Sequence, residues 1–164
     1  MRRLLVPMTM MVALADTVTA HQYNEFKLGG WEGAAYVSDF NGIFTHCAIS
    51  KRYPTGIFFS YGIGRNNEFD AFFGAESWHL AKHEKRIVSL DIDGANLGAL
   101  PAYATGPHLL HIGLGRGRQL FEALRRGGKL TIRTAERNYV FDLTGVAQAL
   151  QELQACRDRE TGLP

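Results

Sequence analysis

The strand pattern of this chain is clearest at residues 56–63, Gly-Ile-Phe-Phe-Ser-Tyr-Gly-Ile. Its larger apolar residues recur at every second position, so that one face of an extended chain carries Ile57, Phe59, Tyr61 and Ile63. This period is typical of a strand with one buried face. The turn sequence Gly-Arg-Asn-Asn follows at 64–67, and residues 68–73 alternate again. The stretch therefore predicts an antiparallel hairpin.

The chain from Trp31 to Ile92 is predicted as short strands. After the hairpin, these and later strands are placed at 77–81, 86–92, 109–113, 129–134 and 138–143. Asp93-Gly94 predicts a tight hairpin turn. Residues 95–107 are rich in Gly, Ala and Pro and are predicted as a loop. In this hairpin, Phe58 and Phe72 lie on the sheet face opposite to the one that carries Phe59 and Phe73. Either both sheet faces are covered, or one face shows aromatic side chains to a partner.

Two short helices are predicted near the C-terminus. The first spans Gln119 to Arg126 and stops at Gly127-Gly128. The second is capped by Thr144, and its apolar stripe also carries a cysteine: Val146, Ala149, Leu150, Leu153 and Cys156. Many short strands with two helices indicate a mainly β (β-rich α+β) domain, built as an antiparallel sandwich or flattened barrel.

The first twenty residues have the layout of an export signal. Arg2 and Arg3 precede an apolar run, Leu4–Ala15, and Val18-Thr19-Ala20 offers small residues for cleavage after Ala20. The alternative, a membrane anchor, requires roughly 20 apolar residues, and this run has 12. We therefore expect a signal peptide at 1–20, a single domain at 21–164 with an ordered core of about 31–157, no membrane span after cleavage, and a periplasmic or secreted location.

The charge balance argues against nucleic acid as a partner. Removal of residues 1–20 leaves 16 basic and 15 acidic residues, a net charge of about +1. A domain that binds nucleic acid carries a clear excess of basic residues. We therefore predict no nucleic-acid partner. Because Gly113–Gly117 lacks the spacing of a dinucleotide-binding motif, we also predict no cofactor.

The two cysteines, Cys47 and Cys156, are predicted to form a structural disulfide. An even pair in an exported chain is usually oxidised, and no C-x-x-C spacing supports a metal site or a redox site. The bond would tie an early strand to the last helix across 109 positions. In the chain-entropy model, a loop of that length contributes about 4.7 kcal/mol to stability.

Several of these features together resemble a known family. The residues that carry the resemblance are Trp31, Phe44–Ile49 around Cys47, Trp78-His79-Leu80, Ile92-Asp93-Gly94, Leu120 to Arg125, and Phe141–Gly145 followed by Ala149-Leu150, Leu153 and Cys156. The pattern is similar to that of small exported domains of alphaproteobacteria, distantly like the invasion-associated locus B proteins. The resemblance implies a periplasmic or secreted β-sandwich, and it supplies no catalytic residues.

Positive charge is concentrated between residues 116 and 137, where seven basic residues face two acidic ones. A patch of this kind could bind anionic headgroups, polysaccharide or an acidic partner. The alternative is a solvated helix face with charged strand edges. The candidate binding surface consists of six arginines: Arg116, Arg118, Arg125, Arg126, Arg133 and Arg137.

The sequence favours a non-catalytic role, with an unknown protein or envelope component bound through an interaction surface. One alternative is a copper-binding periplasmic protein, because cleavage would make His21 the N-terminal residue and its α-amine and imidazole can chelate Cu(II). His21 otherwise lies in a polar segment that we expect to be mobile. A second alternative is a small secreted hydrolase that uses Asp91 and Asp93 as a carboxylate pair, although no G-x-S-x-G motif is present.

Overall fold

The computed structural model describes residues 20–162, which form ten strands and two helices. The predicted signal peptide lies outside the described residues except for Ala20, where the first strand begins. The elements are β1 (Ala20–Leu28), β2 (Trp31–Ser38), β3 (Phe44–Arg52), β4 (Ile57–Gly64), β5 (Phe69–Ala75), β6 (Lys85–Ile92), β7 (Ala95–Gly106), β8 (Leu109–Gly115), α1 (Gln119–Arg126), β9 (Lys129–Arg133), β10 (Asn138–Asp142) and α2 (Val146–Thr161).

All ten strands belong to one antiparallel sheet, in the order β1-β2-β3-β4-β5-β8-β7-β6-β9-β10. The sheet coils so that β10 faces β4 and β5. As a result, the Phe141 ring lies 5.6 Å from the Phe59 ring, and the Tyr139 ring lies 6.2 Å from the Phe73 ring. The result is a sandwich-like core inside a single open sheet, and the mainly β prediction is confirmed. Within residues 20–162, no hydrogen-bonded ladder joins β1 to β10.

The predicted alternation is confirmed in the central hairpin. Phe59, Tyr61 and Ile63 of β4 are buried in the core, since the sheet directs every second side chain inward. Phe58 and Phe72 lie on the other face and are half-buried. Each of them contacts a polar side chain on that face. The Phe72 ring stacks on the His111 ring, and the Arg52 guanidinium lies over the Phe58 ring.

Two predictions of local structure were wrong. Residues 95–106 form β7 rather than a loop. Its small residues Ala102 and Ala104 are buried between β6 and β8, so the neighbouring strands impose a conformation that composition alone disfavours. Residues 77–81 belong to no strand. In place of strand pairing, a side-chain hydrogen bond fixes Trp78, whose indole Nε1 donates to the Tyr139 hydroxyl at 2.8 Å.

The disulfide between Cys47 of β3 and Cys156 of α2 is confirmed, with Cα atoms 6.3 Å apart. It fastens α2 across β2, β3 and β4. The predicted stripe of α2 is buried as expected. Thr144 was wrong as the cap of this helix, because its hydroxyl donates to Asp142 Oδ1 at 2.7 Å while Gly145 occupies the capping position.

Where α2 begins, the β1–β2 turn approaches it so closely that side chains do not fit. Gly29 and Gly145 both have positive φ, and a Cβ on Gly145 would lie 2.3 Å from the Gly29 carbonyl oxygen. Trp31 Nε1 donates to the Thr144 carbonyl oxygen at 3.0 Å, and the Tyr53 hydroxyl donates to that of Asp142 at 2.7 Å. We call this region, with Lys51, the glycine end.

Within residues 20–162, neither helix combines the length and the apolar character that crossing a bilayer requires.

Candidate functional site

At the opposite end of the sheet, four arginines line an open cleft of about 450 Å³. They come from the β4–β5 turn, the β8–α1 connection and the last turns of α2. We call this site the arginine cleft, and its lining consists of Arg65, Asn66, Asn67, Phe69, Arg116, Arg118 and Arg157. Four arginines around one cavity give this concave surface a high density of positive charge.

Backbone hydrogen bonds hold the β4–β5 turn in place. Gly64 N donates to the Glu68 carbonyl oxygen at 2.7 Å, and Arg65 N donates to that of Thr45 at 2.9 Å. Asn67 adopts the left-handed conformation, with φ of 66°, which Asn tolerates better than most residues. The turn therefore presents Arg65 from a fixed backbone rather than from a loose loop.

The disulfide positions Arg157, because Arg157 directly follows Cys156 on α2. Only 9% of Arg157 is exposed. Its Nη1 donates to Asn67 Oδ1 at 2.7 Å and its Nη2 pairs with Asp158 Oδ1 at 2.6 Å. Its Nε is buried and has no hydrogen-bond partner among residues 20–162. A buried guanidinium in this state is a costly feature of a fold, and sites of function commonly carry such costs.

An aromatic cluster lies behind the cleft. The Arg118 guanidinium lies 5.2 Å from the centre of the Phe121 ring, and Phe121 packs against Tyr61 and Phe69. Burial raises the pKa of the Tyr61 phenol, with a smaller contribution from Asp70, while Arg118 opposes the rise. The Tyr61 phenol is therefore neutral and leaves the positive charge of the cleft uncompensated.

The charges around the cleft are unequally matched. Arg118 shares Glu122 with Arg125, at 3.7 Å and 2.9 Å, and Arg157 has Asp158. Arg65 and Arg116 form no ion pair among the described residues. Guanidinium groups bind carboxylate and phosphate through paired hydrogen bonds. The arrangement is suited to holding one acidic group.

The structure divides the predicted arginine surface into separate places. Arg116 and Arg118 line the cleft, whereas Arg125 and Arg126 border a different cavity beside α2. Arg133 pairs with Asp91 at 3.4 Å. Arg137 lies over the Tyr139 ring, 5.5 Å from its centre. The last two arginines therefore have roles within the fold.

Sequence reasoning missed Arg65 and Arg157, which complete the cleft. Arg65 is isolated in a polar turn, and Arg157 lies outside the basic segment. The only available signal was the position of Arg157 beside a cysteine already predicted to be bonded. A helix residue that follows a disulfide has a restricted position, but the sequence does not show which loops it meets.

The residues of the two alternative functions lie elsewhere. His21 is exposed and paired with Val37 in the β1–β2 ladder, so the expected mobile segment is a strand. Among the described residues, no group of three His, Cys, Asp or Glu side chains is placed to hold a metal ion. The copper site at a free His21 α-amine stays a prediction.

The carboxylates proposed for a hydrolase have structural partners. Asp93 Oδ2 and Oδ1 accept the backbone N–H groups of Gly128 and Lys129 at 2.8 and 2.9 Å. Asp91 is buried, accepts the Gly94 N–H at 3.0 Å and pairs with Arg133. The two aspartates stabilise the β6–β7 turn and its junction with β9.

Comparisons with known proteins give a likeness in fold alone. Neither a protein-family model nor a curated protein matches the sequence. The fold is similar to the crystal structure of invasion associated protein B from Bartonella henselae, with a TM-score of 0.58 and 15% sequence identity, over 84% of this chain and 99% of that one. The resemblance inferred from the sequence is therefore confirmed at the level of the fold.

Proposed function

We propose that this chain is an exported, non-catalytic binding protein of the bacterial envelope, and that it binds an acidic group of its partner in the arginine cleft. The observation that carries the proposal is that four arginines line one cavity and that two of them, Arg65 and Arg116, form no ion pair among the described residues. The partner is a component of the envelope that presents carboxylate, phosphate or sulfate groups.

Export is supported by two independent features. The segment before residue 21 has the composition of a signal peptide, and the Cys47–Cys156 disulfide is typical of oxidising compartments. The likeness in fold to an invasion associated protein agrees with a role at the cell surface or in the periplasm.

A non-catalytic role is supported by the use made of the polar side chains. The aspartates considered for a hydrolase, Asp91 and Asp93, accept backbone hydrogen bonds within the fold. The cleft itself offers guanidinium and amide groups and carries no carboxylate, imidazole or hydroxyl in its lining. Such a lining can bind and orient an anion, but it holds no group suited to moving a proton at neutral pH.

The proposal is tested by titrating the oxidised protein with inorganic phosphate and following the arginine side-chain and backbone amide signals by NMR. We expect shifts to be confined to Arg65, Asn67, Arg116, Arg118 and Arg157. The apparent affinity is expected to fall as sodium chloride is added, because the contacts are ionic.

The α1 helix supplies a matched control. Arg116→Ala combined with Arg118→Ala removes two guanidinium groups from the cleft, whereas Arg125→Ala combined with Arg126→Ala removes two from the far end of the same segment. We expect the first double variant to lose phosphate binding and the second to keep it. Equal losses in both variants would show that phosphate responds to net charge alone and would refute the proposal.

A further inference from the structure

The β2–β3 turn, residues 39–43, carries the most exposed aromatic side chain among the described residues. Phe40 is 91% exposed and Ile43 is 46% exposed. Ordinary folding removes large apolar side chains from water, so an apolar pair at a protruding tip is informative. These two residues contribute nothing to the hydrophobic core that would explain their presence.

The turn that carries them is ordered by its own hydrogen bonds. Ser38 N donates to the Ile43 carbonyl oxygen at 2.9 Å, and Gly42 N donates to that of Ser38 at 2.7 Å. Asn41 Oδ1 accepts the Ile43 N–H at 3.1 Å. Gly42 has φ of 65°, a conformation in which its lack of a side chain is an advantage. The exposure of Phe40 is thus imposed by the turn geometry.

This tip adjoins the arginine cleft. A second cavity, of about 380 Å³, is lined by Ile43, Phe44, Arg65 and Asn66 together with Glu160 and Thr161. Arg65 and Asn66 also line the cleft. The protruding apolar side chains and the guanidinium groups therefore lie on one continuous end of the sheet.

We propose that this end docks on an anionic phospholipid surface, with Phe40 and Ile43 entering the headgroup–acyl boundary and the arginine cleft holding a lipid phosphate. This inference rests on the proposed function, and it specifies that the acidic group bound in the cleft is a lipid phosphate. Membrane-surface proteins combine these two elements, buried apolar area and attraction between basic residues and anionic lipid. Four carboxylates also lie at this end, Asp39, Glu68, Asp158 and Glu160. The attraction to anionic lipid is therefore assigned to Arg65 and Arg116, which form no ion pair among the described residues.

The shape of the site favours a lipid surface over an acidic peptide. A peptide with apolar anchors needs a groove that encloses those anchors. Here the apolar residues project from the protein, and the adjoining cavity is lined mainly by polar groups. Projecting side chains can enter a fluid boundary layer without any complementary pocket.

The test is co-sedimentation of the oxidised protein with vesicles of phosphatidylglycerol and phosphatidylcholine, compared with phosphatidylcholine alone. Mass spectrometry first establishes that residues 1–20 are absent, so that the apolar segment Leu4–Ala15 is not the membrane contact. We expect binding to the anionic vesicles only. Phe40→Ser with Ile43→Ser is expected to weaken that binding roughly tenfold or more, the size of effect that follows from keeping large apolar side chains in water.

The matched control is Ile87→Ser with Val140→Ser, which removes two other exposed apolar side chains, 59% and 51% exposed, from β6 and β10. We expect this variant to bind vesicles as the unmodified protein does. The Phe40 and Ile43 variant is also expected to keep its affinity for inorganic phosphate, because the cleft is intact.

Three outcomes would overturn the membrane proposal. Phosphate binding without any vesicle binding would leave the proposed function standing and make the acidic group that of a soluble ligand or a protein. Unchanged vesicle binding after loss of Phe40 and Ile43 would remove the tip from the mechanism. Vesicle binding without any phosphate-induced shifts in the cleft would contradict both the cleft as headgroup site and the proposed function.

Discussion

The two ends of the sheet differ in how many of their polar side chains have a hydrogen-bond or ion-pair partner within the fold. At the glycine end, the Trp31 indole and the Tyr53 hydroxyl are paired with backbone carbonyls, and Lys51 contacts both the Thr144 carbonyl oxygen and Asp142. At the end that carries the arginine cleft, Arg65 and Arg116 have no ion pair among the described residues, and the buried Nε of Arg157 has no hydrogen-bond partner among them. This difference is the basis of our proposal that one end maintains the fold and the other binds a ligand.

The α2 helix connects the two ends, and the disulfide in its middle should produce the largest effect. Replacing both Cys47 and Cys156 with Ala is expected to lower the free energy of unfolding by about 4 kcal/mol, since the bond closes a loop across 109 positions. Urea denaturation of the oxidised protein and the double variant measures this loss. Phosphate affinity should fall as well, because Arg157 depends on the position of its neighbour Cys156.

If stability falls but phosphate affinity does not change, the disulfide is not needed to position Arg157 in the cleft, and this part of the prediction is wrong. Reduction of the unmodified protein with dithiothreitol serves as the control, because it breaks the same bond without any change in side-chain volume. It should reproduce both effects.

The next largest effect is expected at the contact between the β1–β2 turn and α2. Gly145→Ala places a Cβ 2.3 Å from a backbone oxygen of Gly29, at a φ of 81°. We expect a loss of about 3 kcal/mol from the combined clash and backbone strain. Gly162→Ala is the matched control, with a φ of 68° and no atom within 4 Å of the added Cβ. It should cost only about 1 kcal/mol, and equal losses would place the whole effect in the backbone conformation.

Tyrosines at both ends predict a loss of stability at alkaline pH. Burial raises the pKa of Tyr53, with Asp142 adding to the rise. Burial likewise raises the pKa of Tyr23 to about 12, with Glu160 adding to it. An unfolded tyrosine titrates near pH 10. Because the folded pKa values are higher, the stabilisation is complete below about pH 10 and declines above it. The contribution of Tyr23 is lost as the pH rises through about 12.

Urea midpoints measured between about pH 8 and pH 11 test this prediction. Tyr53→Phe should cost about 1 kcal/mol at neutral pH, from the lost hydrogen bond to the Asp142 carbonyl oxygen. It should also make the alkaline decline shallower, as should Tyr23→Phe. If both variants lose stability with pH as steeply as the unmodified protein does, the alkaline loss comes from groups other than Tyr53 and Tyr23.

The sequence predicted those parts of the molecule that depend on local pattern. The alternation at 57–63, the helix at Gln119–Arg126 and the even cysteine pair each contain their own signal. It failed for β7, whose Ala, Gly and Pro residues are held as a strand by neighbours on both sides. It also failed to assemble the cleft, because the contact between Asn67 and Arg157 spans 90 positions and exists only after α2 is fastened to the sheet.

The smallest effect on stability is expected from the arginines of the cleft, and it separates the two ends most sharply. Arg65→Ala with Arg116→Ala should change the free energy of unfolding by less than about 0.5 kcal/mol, since neither side chain has an ion pair to lose, while phosphate affinity falls.

Lys51→Ala at the glycine end is the comparison. This lysine lies 5.7 Å from the centre of the Trp31 ring and 5.3 Å from that of Tyr53, so its removal should cost about 1 kcal/mol and leave phosphate affinity unchanged. Because each variant removes cations from one end only, opposite patterns of stability and affinity would assign folding to one end and binding to the other. If the cleft arginines instead cost stability as Lys51 does, their charges are matched within the fold, and the case for a ligand in the cleft is lost.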